Sequence, residues 1–312
     1  MRIHLIPTPR YVWVVNLSVK PLHPLFAAEV SGVDLREAAS DQVFRAIEEA
    51  LDRYAVLIFR GQPLSTAQQI SFSGLFGPLE SAFGSIRKGQ ESRLGQKLLA
   101  DVSNLDASGN IRASTDAWRR MQMGNQLWHT DSSYKCVPGK ISFLSAHELP
   151  PVGGQTEFAD LRAAYEALDG RMQSCIEGLV AEHSIFHSRQ LVGFTDFSDE
   201  ERTAYPPMAR PVVRLHPGSM RKSLYLASHA SHIVGLPVDE GRALLARLTD
   251  FATQPKFVYV HHWQLHDLVV WDNRCTMHRG RPYDDIRYRR DMRRTTVADT
   301  VSIPLQERSA QS

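Results

Sequence analysis

The sequence predicts a mainly β protein with helical decoration, built as a jelly roll or closed sandwich. Three observations predict it. Most strand candidates lie after residue 125, and each is short and bounded by turn signals. Helical periodicity falls before those strands or inside one long insertion, so no βαβ alternation develops. Hydrophobic residues make up 43% and charged residues 22% of the 312 residues, the balance of an ordinary folded domain.

The elements follow in order. Residues 1–22 carry Pro7, Pro9 and Pro21 without a clear period and read as a lead-in segment; Tyr11–Val15 is equally compatible with one edge strand. Residues 23–312 read as a single domain. Asp41–Leu51 is a helix: Val43, Ile47 and Leu51 share a face and Ser40 is placed to cap it. Tyr54–Phe59 is a buried strand closed by Gly61, and Ser65 caps a second helix over 66–76. Residues 80–125 are polar, glycine-rich and uneven, as expected of a long functional loop or lid. Leu127–Tyr134 and Ile141–Glu148 read as strands paired around Pro138-Gly139. A turn at Gly153-Gly154 leads into a strand at Gln155–Ala159. Helices are expected at 161–168 and about 170–181, then a loop over 184–208 stopped by Pro206-Pro207. Strands follow at 211–216 and 223–228. Asp239–Phe251 is a helix with Leu244, Leu248 and Phe251 on one face. The last strands fall at 257–262, 267–272, 274–279 and 294–299.

Charge and cysteine content exclude several classes. Lys plus Arg is 36 against 34 Asp plus Glu, a net charge of +2, which gives no support to a nucleic-acid or membrane-surface partner. The three cysteines are widely spaced without CxxC, so neither a disulfide framework nor a zinc ribbon is expected. Tyr11–Val15 is too short for a signal-peptide core or a membrane span, so the expected location is the cytoplasm. GxSxG, Walker A and a GxGxxG after a strand are all missing.

The feature that carries chemistry is Trp128-His129-Thr130-Asp131. On an extended chain residues i and i+2 point the same way, so His129 and Asp131 offer an imidazole and a carboxylate to one volume. A second histidine would complete a facial triad, which leaves open positions on Fe(II) for a cosubstrate and O2. Among thirteen histidines His278 is the best candidate, because it follows the strand Leu268–Asp272 and precedes an arginine cluster. Arg290 in that cluster suits the distal carboxylate of a dicarboxylate cosubstrate. Arg294 stands four residues on and shares its face on a strand, whereas Arg279, Arg281, Arg287 and Arg289 read as a solvated face. His183 and His187 have helical metal-pair spacing but no HExxH. His261, His262 and His266 read as packing or a cavity wall, and His229 and His232 as loop or hydrogen-bonding residues.

These residues resemble the taurine dioxygenase family of Fe(II)- and 2-oxoglutarate-dependent oxygenases, including its members that cleave aryloxyalkanoates. The resemblance runs from about His23 to about Thr300. It is carried by His23–Ala28, Val33–Glu37, Phe59–Ser65, Gly124–Ser133, Gly153–Phe158, His229–His232, Gly235–Pro237 and Trp271–Cys275. It implies a double-stranded β-helix, that is, a jelly-roll barrel. It implies His129, Asp131 and His278 as iron ligands, Thr156 and Arg290 as the 2-oxoglutarate contacts, and Asn125 and Arg294 facing the substrate or cosubstrate anion. It further implies a homo-oligomer, with ascorbate stimulating turnover. The expected reaction hydroxylates the carbon next to the ether oxygen of 2,4-dichlorophenoxyacetate or a relative. Phenol, glyoxylate, succinate and CO2 are the products. The residue facing the substrate carboxylate in herbicide-degrading members falls near Ser85, with Arg87 and Lys88 nearby, and Ala82 replaces the taurine-contacting histidine. Alternatives are the same chemistry on an alkyl sulfonate, sulfate ester or aromatic acid, a non-catalytic jelly-roll binding protein, and a zinc hydrolase with the same ligands.

Overall fold

The structure is a computed structural model that describes residues 17–37, 40–82 and 93–300. In chain order its strands are β1 (Ser18–Pro21), β2 (Ala28–Ser31), β3 (Val56–Phe59), β4 (Ala100–Asp101) and β5 (Gly139–Glu148). Then come β6 (Thr156–Asp160), β7 (Val180–His183), β8 (Met208–Pro211), β9 (Val213–Leu215) and β10 (Lys222–Leu224). The last are β11 (Ala230–Ile233), β12 (Val258–His261), β13 (Leu268–Asp272), β14 (Thr276–Gly280) and β15 (Asp291–Ala298). The helices are α1 (Asp41–Tyr54), α2 (Thr66–Gly74), α3 (Ala117–Gln122), α4 (Leu161–Glu166), α5 (Gly170–Ile176), α6 (Ile185–Gln190), α7 (Asp199–Ala204) and α8 (Val238–Ala252).

A seven-stranded sheet in the order β1-β2-β3-β13-β5-β15-β4 is the frame, and a three-stranded sheet β12-β6-β14 packs on it. All pairings are antiparallel except β2 with β3. Strand alternation sorts the side chains. Leu57, Phe59, Phe143, Leu268 and Val270 pack outward under α1 and α2 with Ile47, Leu51, Phe72 and Phe76. Their neighbours Val56, Ile58, Leu144, Val269 and Trp271 point inward and meet Phe158 of the smaller sheet. The Phe158 and Trp271 rings lie 5.5 Å apart, so the interior between the sheets is closed by aromatic packing. A third cluster joins α4 and α8 to β7, β10 and β11 and receives Met277 from β14. This is the expected jelly roll with helices outside it.

The helix caps are those read from sequence. The Ser40 side chain accepts from the Val43 amide, and Ser65 forms a capping box with Gln68. The helix expected over about 170–181 stops at Ile176, and β7 follows, because Val180–His183 pairs with both β8 and β11. Four further expectations are corrected. The strand Leu127–Tyr134 is reduced to one bridge, His129 with His278, and does not pair with β5. β5 is instead bonded on both sides by β13 and β15, which leaves it no free edge. Residues 184–208 hold α6 and α7 rather than a loop, and Ser198 forms a capping box with Glu201 that the sequence does contain. Within 80–125, the described part carries β4, α3 and a 3-10 turn at Met123–Gln126. Ser18–Pro21 pairs with Ala28–Ser31, so the sheet begins inside the segment read as a lead-in. Tyr11–Val15, Ser85, Arg87 and Lys88 lie outside the described residues.

Candidate active site

The site grows from the single bridge. His129 and His278 exchange both backbone hydrogen bonds, at 3.0 and 2.8 Å, which sets their rings 4.2 Å apart. β14 points Met277 into the outer cluster, so His278 faces the interior, against Phe158 and Trp271. Thr130 points the opposite way, its hydroxyl donating to the Leu226 and Thr276 carbonyls, which leaves His129 and Asp131 on the inner side. Ser132 then turns the chain with a φ of 56°.

The three side chains expected as ligands do converge. One ligand atom from each of His129, Asp131 and His278 lies within 4.8 Å of the others, and all three residues are buried. Both histidines aim Nε2 at Asp131, each 3.8 Å from a carboxylate oxygen. His129 Nδ1 donates to the Leu127 carbonyl at 2.8 Å, which fixes the tautomer and leaves Nε2 a lone pair. His278 Nδ1 is buried without a hydrogen-bond partner among the described residues.

Electrostatics suit a cation. Burial pushes His129 down to about 4, with Arg189 and Arg294 adding to the effect against the pull of Asp131. Burial and the neighbouring His129 likewise hold His278 well below its ordinary range. Both imidazoles are therefore neutral, as ligands must be. Burial alone would raise Asp131; Arg294, the two imidazoles and the Ser142 hydroxyl outweigh it and hold the carboxyl at about 2. Ser142 lies on the inward face of β5 and donates to Asp131 Oδ2 at 2.8 Å, and the Arg294 guanidinium donates to Oδ1. Two neutral imidazoles and one oriented carboxylate are the donor set of a non-haem ferrous site, so the residues fit that metal.

Two cavities share a wall of Val102, Gln122 and Asn125, and the second of them is lined by His129 and Asp131 of this cluster. The first is bounded by Arg290, Asn104, Tyr283 and Asp285. Arg290 stands 5.9 Å over the Tyr283 ring, its backbone amide donates to Asn104 Oδ1, and its Nε has no acceptor. Burial pushes its guanidinium below the ordinary range. Gly154, left-handed at φ 70°, runs beside it, and its carbonyl accepts from Arg290 Nη2 at 3.4 Å. Thr156 opens β6 two residues later, and its hydroxyl accepts from Trp263 Nε1 at 3.0 Å. The other cavity holds His129, Asp131, Tyr134, Arg189, His229 and Arg294.

Asn125 and Arg294 both line that second cavity, but each is engaged within the protein. Arg294 donates to Asp131, and Asn125 Oδ1 accepts from Arg189 at 3.2 Å. Three wall residues were missed in the sequence. Tyr134 carried no signal. His229, expected as a loop or hydrogen-bonding residue, does sit on the turn before β11 with Nδ1 bonded to Ser188, but its full burial in the cavity wall was not foreseen. Arg189 sits on α6, inside the segment read as loop, where nothing in the sequence marks it as buried. His183 and His187 fall on β7 and α6, so their spacing has no helical meaning. His261 is a packing residue bonded to the buried Asp267.

A jelly roll with two histidines and a carboxylate gathered between its sheets defines a class: metal-dependent oxygenases of the non-haem type. The chain matches the family described as taurine catabolism dioxygenase TauD, TfdA family over residues 18–296, and it belongs to that family. It is 51% identical over 286 residues to an alpha-ketoglutarate-dependent 2,4-dichlorophenoxyacetate dioxygenase of Cupriavidus pinatubonensis, covering 91% of this chain and 99% of that one. It is 39% identical to an (S)-phenoxypropionate/alpha-ketoglutarate-dioxygenase of Sphingobium herbicidovorans, covering 85% and 90% of the two chains. Its fold is similar to the crystal structure of AAD-2 in complex with Mn(II) and N-oxalylglycine. The TM-score there is 0.87 at 48% identity, over 90% of this chain and 97% of that one.

Proposed function

We propose that this chain is an Fe(II)- and 2-oxoglutarate-dependent dioxygenase acting on 2,4-dichlorophenoxyacetate or a related aryloxyalkanoate. It hydroxylates the carbon next to the ether oxygen, and the product collapses to a phenol and glyoxylate. The observation that carries the reading is the buried His129–Asp131–His278 cluster, whose first two members line one guanidinium-bearing cavity that shares a wall with a second, in a chain half identical to a dioxygenase of that substrate.

His129, Asp131 and His278 hold the metal. The iron, with 2-oxoglutarate and O2, supplies the oxidising power as the cosubstrate is converted to succinate and CO2. The protein's part is geometric and electrostatic. Arg290 pairs with the distal carboxylate of 2-oxoglutarate, and its uncommitted Nε supports this role. The Thr156 hydroxyl already accepts from Trp263, so its own hydrogen is left to donate to the same anion. Arg294 and Ser142 fix the Asp131 carboxylate in one orientation, and Asn125 forms part of the wall between cosubstrate and substrate. The closed aromatic interior limits water around the reacting carbon.

The same reading treats residues 23–312 as one catalytic domain of a cytoplasmic homo-oligomer without nucleic-acid or membrane partners. No helix among the described residues is long and apolar enough to cross a membrane. The test is phenol release from 2,4-dichlorophenoxyacetate in the presence of Fe(II), 2-oxoglutarate and ascorbate, which keeps the iron reduced. Phenol and succinate should appear in equal amounts. Succinate formation that ignores the acid, with no phenol, would remove the substrate assignment.

A further inference from the structure

Arg189 is the one guanidinium of the metal-side cavity that the fold has not paired with a carboxylate. It is 7% exposed, and burial pushes it down to about 10, so it stays charged at neutral pH. Its Nη2 donates to Asn125 Oδ1 at 3.2 Å, while Nε and Nη1 find no acceptor among the described residues. Leaving N–H donors of a buried cation unfilled is costly, and such a cost persists where a ligand removes it. Arg294, in the same cavity, already donates to Asp131 and thereby serves the metal ligand.

The backbone opposite is cut away for this side chain. A methyl group on Gly124 would start 2.0 Å from Arg189 Nη1, and Gly124 has no left-handed backbone that would otherwise call for glycine. The guanidinium therefore occupies the side-chain space of residue 124, on the turn that also carries Asn125. Arg290, in the other cavity, likewise has no carboxylate partner among the described residues; its Nη2 donates to the Gly154 carbonyl at 3.4 Å and its Nε is unfilled. Two cavities with one such arginine each match two carboxylic acids bound side by side.

We infer that Arg189 is the anchor for the substrate's carboxylate, with Arg290 reserved for the cosubstrate and Arg294 for Asp131. This rests on the reading that the metal-side cavity takes an aryloxy acid. The planar fork of Arg189 would hold the carboxylate and so fix which carbon is presented beside His129 and Asp131.

The experiment is titration calorimetry on protein loaded with Mn(II) and N-oxalylglycine. The ligands are 2,4-dichlorophenoxyacetate, phenylacetate and the corresponding neutral amides. Wild type should prefer each acid over its amide. Arg189→Met should weaken the acids at least about tenfold, the scale of a lost charge-assisted hydrogen bond, and leave the amides within about twofold. Gly124→Ala keeps the charge but displaces the guanidinium, and should shift binding in the same direction. The assignment is overturned if wild type shows no preference for acids, or if both variants retain it. It is also overturned if Arg189→Met loses N-oxalylglycine as well, since the arginine would then be a structural support. Phenol release is scored separately. A wild type that binds the acids through Arg189 without releasing phenol would lose the proposed reaction and keep the anchor.

Discussion

At the residue scale the site is a set of buried groups whose partners dictate their chemistry. His278 has one interior nitrogen facing Asp131, so His278→Ala should lower coupled phenol release at least about 100-fold and abolish stoichiometric metal uptake, read by metal analysis. Wild-type succinate production in that variant would show that another residue is the third ligand. Ser142 lines neither cavity; its hydroxyl donates to Asp131 Oδ2 and accepts from Asn273 Nδ2. Ser142→Ala should therefore weaken metal binding about tenfold while the fold survives, which competition with a chelator would measure. Acid sensitivity has a residue-scale source away from the metal. His183 is fully buried with Nδ1 on the Ser133 hydroxyl, and burial, helped by Arg210, pushes it down to about 3. Its folded value lies below its unfolded value, so the unfolded chain takes up a proton first. Stability should fall as pH drops from about 6.5 towards 3, at up to about 1.4 kcal/mol per pH unit for this one group. Urea unfolding across that range should show a shallower slope in His183→Asn.

At the element scale, short connections set where the side chains of the candidate site land. Gly153 is left-handed at φ 84°, and a methyl there would meet the Pro282 carbonyl at 2.7 Å. That contact fixes the segment leading to Arg290, and the Gly154 carbonyl accepts from its guanidinium. Gly153→Ala should raise the KM for 2-oxoglutarate several-fold while that for the aryloxy acid changes less; equal shifts in both would refute a selective effect on the cosubstrate cavity. Much of the secondary structure was legible because it depends on nearby residues. The caps at Ser40 and Ser65 and the face of α8 depend on side chains within one or two turns. Leu127–Tyr134 was not legible as a single bridge, because its strand-like pattern is shared with an extended segment whose pairing partner lies 149 residues on, at His278. Segment 184–208 was misread because its helices are only six residues each, shorter than a periodic signal needs.

At the scale of the whole molecule, the two sheets bring together groups from the bridge segment, β5, β14 and β15. Binding at their junction must therefore hold the sheets together. Mn(II) with N-oxalylglycine, at about 100 times its dissociation constant, should stabilise the protein by about 2.7 kcal/mol and raise Tm by several degrees. Metal chelation should reverse the shift. A melting temperature indifferent to both would place the ligands elsewhere.

The sequence by itself determined the mainly β class, the helix caps and the i and i+2 pairing of His129 with Asp131, and it put forward His278 and Arg290 as candidates. These rest on local alternation, on residue chemistry and on motifs that keep their order along the chain. Only the tertiary structure decided which arginines are spent and which are not. Arg294 and Arg189 are the same residue type, but one meets Asp131 across the barrel and the other lies over Gly124 with no carboxylate partner among the described residues. The physical reason is that a guanidinium's role is set by the partners within a few ångströms, and those partners come from segments far apart in the chain.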